Sequence, residues 1–121
     1  MPKNILVIDD DGMVTKSLCA LLNKTGLSAH PENNGYDAID KIKGMHVDLI
    51  VVDIKMPGID GVETVKKIKE ILKSKNKADI PVIFITGYAD NQANLEAEKL
   101  GEVIMKPLYS KEFLERINHY L

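Results

Sequence analysis

Apolar residues in this chain follow two alternating patterns. Short uninterrupted runs, Ile5-Leu6-Val7-Ile8, Leu49-Ile50-Val51-Val52, Val82-Ile83-Phe84-Ile85 and Val103-Ile104-Met105, have the length and composition of strands buried on both faces. Between them, apolar positions recur at helical spacing. Val14, Leu18, Leu21 and Leu22 predict a first helix of about 14 residues, closed by Gly26 at the position where a helix C-cap favours glycine. Ala38, Ile39 and Ile42 line a short second helix that follows the turn signal Asn34-Gly35 and stops at Gly44. Val62, Val65, Ile68 and Leu72 line a third, which ends in the polar loop from Lys73 to Asp79. A fourth helix is expected from Asp90 to Leu100, and a last one carries Phe113, Ile117, Tyr120 and Leu121.

Around these helices the strands read Ile5 to Ile8, Leu27 to Glu32, Val47 to Asp53, Ile80 to Thr86 and Val103 to Met105. The second is weak. Pro31 has no N–H to donate, which excludes it from the centre of a sheet but not from an edge. Strict alternation of strand and helix implies a parallel sheet covered on both faces, so the fold class is α/β, a single doubly wound (βα)5 domain of the flavodoxin-like kind. With strand two at the edge, the order 2-1-3-4-5 fits. Ligands of such sheets bind outside the carboxyl ends of the strands where strand order reverses, here between strands one and three.

The residues at those carboxyl ends are chemically suited to one another. Strand one runs into Asp9 and Asp10, strand three into Asp53, strand four into Thr86, and strand five into Lys106 followed by Pro107. Two unit charges about 4 Å apart repel by ~4 kcal/mol at an effective dielectric near 20, so three neighbouring carboxylates call for a divalent cation, with Lys106 as a further positive charge. Each residue also has a plainer role. Asp9, Asp10 or Asp11 could cap the first helix, Thr86 could be an ordinary strand residue, and Lys106 a surface lysine. Convergence of four strand ends on one edge favours a site. The histidines at 30, 46 and 119 show no metal-ligand spacing, and Met56 and Met105 read as packing residues.

Composition narrows the setting. The chain has 121 residues, 45% of them hydrophobic and 28% charged, which suits one globular domain with a real core. A net charge of −2 argues against nucleic-acid binding through a basic surface, and the lysines at 66, 67, 69, 73, 75 and 77 read as a solvated helix face and its exit loop. Cys19 is the single cysteine, so neither an internal disulfide nor a cysteine zinc cluster is available. No apolar run approaches the ~20 residues that span a bilayer, and the expected location is the cytoplasm.

Four segments, Ile-Leu-Val-Ile-Asp-Asp-Asp, Val-Val-Asp-Ile-Lys-Met-Pro-Gly-Ile-Asp-Gly, Phe-Ile-Thr-Gly-Tyr-Ala and Met-Lys-Pro-Leu, occur in this order and at family-like spacing. Together they resemble the receiver domain of two-component response regulators, over essentially all of residues 1–121. The resemblance implies that Asp53 accepts a phosphoryl group from a phosphohistidine on a sensor histidine kinase or phosphotransfer protein. It implies Mg2+ held by Asp9, Asp10, Asp53 and the main-chain carbonyl of Lys55, with Thr86 and Lys106 contacting phosphoryl oxygens. Hard Mg2+ takes oxygen ligands in an octahedron and binds through few carboxylates plus phosphate oxygens, which explains these residue types. It also implies a cis Lys106–Pro107 bond, no independent substrate turnover, and an unidentified downstream protein.

Three departures from the family pattern stand out. Glu32 replaces the usual small residue at the end of strand two, the stretch from Gly101 to Lys106 is about two residues short, and Val103 stands where an aromatic residue is common. Lys55 and Tyr88, two positions after Asp53 and Thr86, are large enough to shield an aspartyl phosphate from water. Two other classes share some of this chemistry. A haloacid-dehalogenase-type phosphatase would want an acid where Lys55 stands, and a flavodoxin-like cofactor binder would want a hydroxyl- and glycine-rich loop in place of Asp9-Asp10-Asp11. The chain is expected to be a monomer, either a stand-alone receiver or a piece of a larger regulator, without direct contact to nucleic acid or membrane.

Overall fold

The computed structural model describes residues 2–87 and 91–121. Among these, strands β1 (Asn4–Ile8), β2 (Ser28–Glu32), β3 (Leu49–Asp53), β4 (Val82–Thr86) and β5 (Glu102–Met105) alternate with helices. The helices are α1 (Gly12–Lys24), α2 (Gly35–Gly44), α3 (Gly61–Ser74), α4 (Asn91–Glu98) and α5 (Ser110–His119). The strands form one parallel sheet in the order β2-β1-β3-β4-β5, as the sequence predicts. Pro31 pairs in register with Val7 on edge strand β2, whose other side needs no donor.

Alternation along each strand divides the core in two. Leu6, Ile8, Ile50, Val52, Val82 and Phe84 face one side and pack with Ala38, Ile42, Val65, Ile68 and Ala97 from α2, α3 and α4. Ile5, Val7, Leu49, Val51, Ile83 and Ile85 face the other and pack with Leu18, Leu22, Phe113 and Ile117 from α1 and α5. All the residues of β3 and β4 are buried, as a central parallel strand requires. Phe84 is fully buried in the larger cluster, and its truncation to alanine would cost about 3–5 kcal/mol.

Helix ends follow from local chemistry. Asp11 caps α1 by accepting from the Met13 N–H at 3.0 Å, and Asp60 caps α3 by accepting from the Glu63 N–H at 2.8 Å. Gly26 follows the C-cap of α1 with φ of +86°, a left-handed conformation that glycine adopts without steric cost. Asn34-Gly35 differs from the expected turn. Asn34 is the N-cap of α2, accepting from the Asp37 N–H at 2.8 Å, and Gly35 is its first helical residue. A Cβ on Gly35 would overlap the Thr64 hydroxyl and the Ile59 side chain, so glycine serves the close approach of α2 to α3.

Two of the three departures acquire a physical account. Glu32 lies 3.8 Å from the Lys41 ammonium, an ion pair between β2 and α2. The shortened stretch after α4 turns at once into β5, with the Gly101 N–H bonded to the Ala97 carbonyl at 3.0 Å. A Cβ on Gly101 would overlap the Val82 carbonyl oxygen, and only glycine lets the chain run this close to β4. The lysine stretch is a solvated face, with Lys69 paired to Asp79 at 2.9 Å and Lys66 to Glu96 at 3.3 Å.

Candidate functional site

The carboxyl ends of β1, β3, β4 and β5 meet at one edge of the sheet. β1 and β3 are neighbours there, so the segment Asp9-Asp10 lies beside Asp53 at the reversal of strand order. Carboxylate oxygens of Asp9, Asp10 and Asp53 all lie within 4.8 Å of one another. Asp9 and Asp53 are buried, whereas Asp10 is exposed at the rim. Lys106 reaches in from the end of β5, its ammonium 3.5 Å from Asp9 Oδ2 and 3.9 Å from Asp53 Oδ2. Thr86, 1% exposed, ends β4 beside Met105, and its carbonyl accepts from the Lys106 N–H at 2.8 Å. The Lys106–Pro107 peptide bond is cis, as the resemblance implies.

Electrostatics at this edge are those of an under-compensated acidic cluster. The Asp53 carboxyl is pushed up to about 6, first by burial and then by the negative charge of Asp9. Lys106 opposes the shift, Asp10 adds to it, and a hydrogen bond from the Lys55 backbone N–H works against it. One lysine therefore does not neutralise three carboxylates. The donor set is all oxygen, partly exposed and anionic, which fits a hard divalent cation that keeps several waters. It suits neither a thiolate-loving metal nor a bare phosphate.

Neighbouring backbone holds the cluster in place. The Asp11 N–H donates to Asp9 Oδ1 at 3.0 Å, so capping of α1 falls to Asp11 while Asp9 turns into the site. Beyond Asp53, the Gly61 N–H donates to the Ile54 carbonyl at 2.9 Å, and a Cβ on Gly61 would overlap the Asp53 carbonyl oxygen. Sequence reasoning reads Gly61 only as part of a motif. Its close approach to Asp53 becomes visible in three dimensions. The same holds for Asn33, whose side chain donates to the Asp9 carbonyl at 3.0 Å although the sequence marks only a polar turn. Tyr88, expected to flank the site, lies outside the described residues.

A family model described as the response regulator receiver domain matches residues 5–118. This chain belongs to that family. Transcriptional regulatory protein ZraR of Klebsiella oxytoca is 38% identical over 107 residues, covering 87% of the chain and 23% of the relative. Sporulation initiation phosphotransferase F of Bacillus subtilis (strain 168) is 31% identical over 123 residues, covering 100% of the chain and 95% of the relative. Thus the receiver spans about a quarter of one relative and nearly all of the other. The crystal structure of response regulator protein TrrA from Thermotoga maritima, in complex with Mg(2+)-BeF, superposes with a TM-score of 0.83 at 31% identity. It covers 98% of this chain and 99% of that one. Family membership decides against the phosphatase and flavodoxin-like readings. No helix among the described residues is long and apolar enough to cross a membrane.

Proposed function

We propose that residues 1–121 form one receiver domain in which Asp53 is the phosphoacceptor. The observation that carries this reading is the meeting of Asp9, Asp10 and Asp53 oxygens within 4.8 Å, with the Lys106 ammonium 3.9 Å from Asp53. Asp9, Asp10, Asp53 and the main-chain carbonyl of Lys55 would hold Mg2+. When bound, the ion supplies positive charge to phosphoryl oxygens.

Within this site the chain's own groups divide the work. An Asp53 carboxylate oxygen attacks phosphorus, the O–P bond forms, and the P–N bond of a partner phosphohistidine breaks with its electron pair leaving on the imidazole. Phosphoryl transfer needs chiefly positioning and charge stabilisation, which buried, backbone-held carboxylates and a strand-end lysine provide. Lys106, drawn from Asp9 and Asp53, acts as a point charge on one phosphoryl oxygen, and the Thr86 hydroxyl donates to another. Burial and the Asp9 charge raise the Asp53 pKa to about 6, and positive charge beside it, as from Lys106, favours the ionised nucleophile.

Partners follow from the chemistry. The phosphodonor is a phosphohistidine of a sensor kinase or phosphotransfer protein in the cytoplasm, and the output is altered binding of a downstream protein rather than turnover of a separate substrate. Intact-mass measurement after incubation with a small phosphodonor and Mg2+ tests the reading. One labile phosphoryl group per chain is expected, lost in Asp53→Asn. Undiminished labelling of that variant would place the acceptor elsewhere.

A further inference from the structure

Asn33 lies in the connection between β2 and α2, outside the acidic cluster. Its side chain nevertheless reaches across the sheet end. Nδ2 donates to the Asp9 main-chain carbonyl at 3.0 Å and to the Thr15 hydroxyl oxygen at 3.2 Å. An amide nitrogen carries two hydrogens, one for each acceptor. The orientation is unambiguous: a carbonyl oxygen only accepts, and the Thr15 hydroxyl spends its own hydrogen on the Gly12 carbonyl at 3.1 Å. One side chain thus ties the residue that follows β1 to buried Thr15 in the otherwise largely exposed first turn of α1.

The Asp9 carbonyl belongs to the peptide unit joining Asp9 to Asp10, and that unit is planar. On its near side, Asp9 is fixed by its N–H to the Glu32 carbonyl at 3.1 Å. Asp10, beyond it, has left the ladder and is exposed. Holding the Asp9 oxygen restrains the plane, and the plane places the Asp10 Cα from which the carboxylate projects.

We propose that Asn33 is a positioning residue for the metal pocket, orienting the Asp9–Asp10 peptide so that the Asp10 carboxylate meets those of Asp9 and Asp53. The proposal rests on the reading of this cluster as the Mg2+ site. Mg2+ demands near-ideal octahedral geometry, so a ligand set only slightly misdirected binds it less well. Removal of hydrogen bonds behind metal ligands commonly lowers affinity by about 10–100-fold.

The test is a MgCl2 titration of the whole 121-residue chain followed on backbone amides by 15N NMR, which reports folding and the Mg2+ dissociation constant together. Asn33→Ala is expected to weaken Mg2+ binding roughly tenfold. Asn33→Ser, also too short to reach the Asp9 oxygen, repeats the measurement should the alanine variant fail to fold. Thr15→Val removes only the helix branch and is expected to stay within about twofold of the unaltered chain. A purely structural role would lower the metal-free melting temperature of the Asn33 variants while leaving their Mg2+ affinity unchanged, and that result overturns the proposal. Equal weakening in Thr15→Val also overturns it, by moving the effect to α1. Absence of saturable binding in the unaltered chain would instead defeat the metal-site reading, and this inference with it.

Discussion

At the scale of the residue, Asp53 links burial to chemistry. Its carboxyl stands near 6, against an ordinary value of 3.8, because it is buried beside Asp9. Between those values the folded chain binds the proton more tightly than the unfolded one. This group therefore costs the fold nothing below about pH 3.8, and its cost grows as pH rises from there to about 6, above which it is fully present. In chelator, the melting temperature of the unaltered chain relative to Asp53→Asn should fall between about pH 4 and about pH 6.5 and level off above that. The difference is bounded by about 3 kcal/mol. Parallel pH profiles for the two chains would contradict the assignment. Removing Asp10 acts on the same balance from the exposed side. Asp10→Ala should weaken Mg2+ binding strongly, yet raise the metal-free stability by up to about 1 kcal/mol, the size expected for a water-screened repulsion. Calorimetric titration and a melt in chelator check the two halves; a clearly less stable apo variant would count against an uncompensated cluster.

Elements decide how much of this was legible beforehand. Asp9, Asp10, Asp53, Thr86 and Lys106 could be gathered from the sequence because a strand-end position follows from an apolar run, and parallel order brings the ends together. Strand starts were less legible. Val47 and Ile80 are buried without belonging to the strands that follow them, since apolar character records burial rather than ladder bonding. Asn33 was illegible for another reason: a side-chain bond across 24 residues leaves no local pattern. Gly61 belongs to this second kind. Its lack of a side chain lets α3 start against the backbone of Asp53, so Gly61→Ala must push the helix off β3 or displace Asp53. Urea unfolding should show a loss of about 2 kcal/mol or more, with weaker Mg2+ binding alongside. An alanine variant as stable as the parent would show that this contact yields easily.

At the scale of the whole molecule, Asp53 as the proposed phosphoacceptor would have to pass its state to a surface that a partner can read. In the usual receiver, the residue matching Thr86 moves towards the phosphoryl group and an aromatic ring on strand five fills the vacated space, reshaping the face formed by α4, β5 and α5. Here Val103 occupies that place, in register with Phe84 and packed half-buried against the α3 side of the core. Its side chain is short, branched and stiff at χ1, so it has no ring to swing. A second feature holds the same face. Glu102 on β5 accepts from Arg116 Nε at 2.7 Å and from the Tyr120 hydroxyl at 2.6 Å, clasping β5 to α5 and the residue that follows it. A switch needs two arrangements that the phosphoryl group stabilises unequally, and both features disfavour a second arrangement at β5 and α5. Phosphorylation is therefore expected to leave the isolated chain monomeric, with its partner reading the rim of the acidic site and α4. Light scattering with a stable phosphoryl mimic and Mg2+ measures this directly. A tight dimer that charge reversal on α5 dissolves would show that this face switches without the ring, and that Val103 does not limit it.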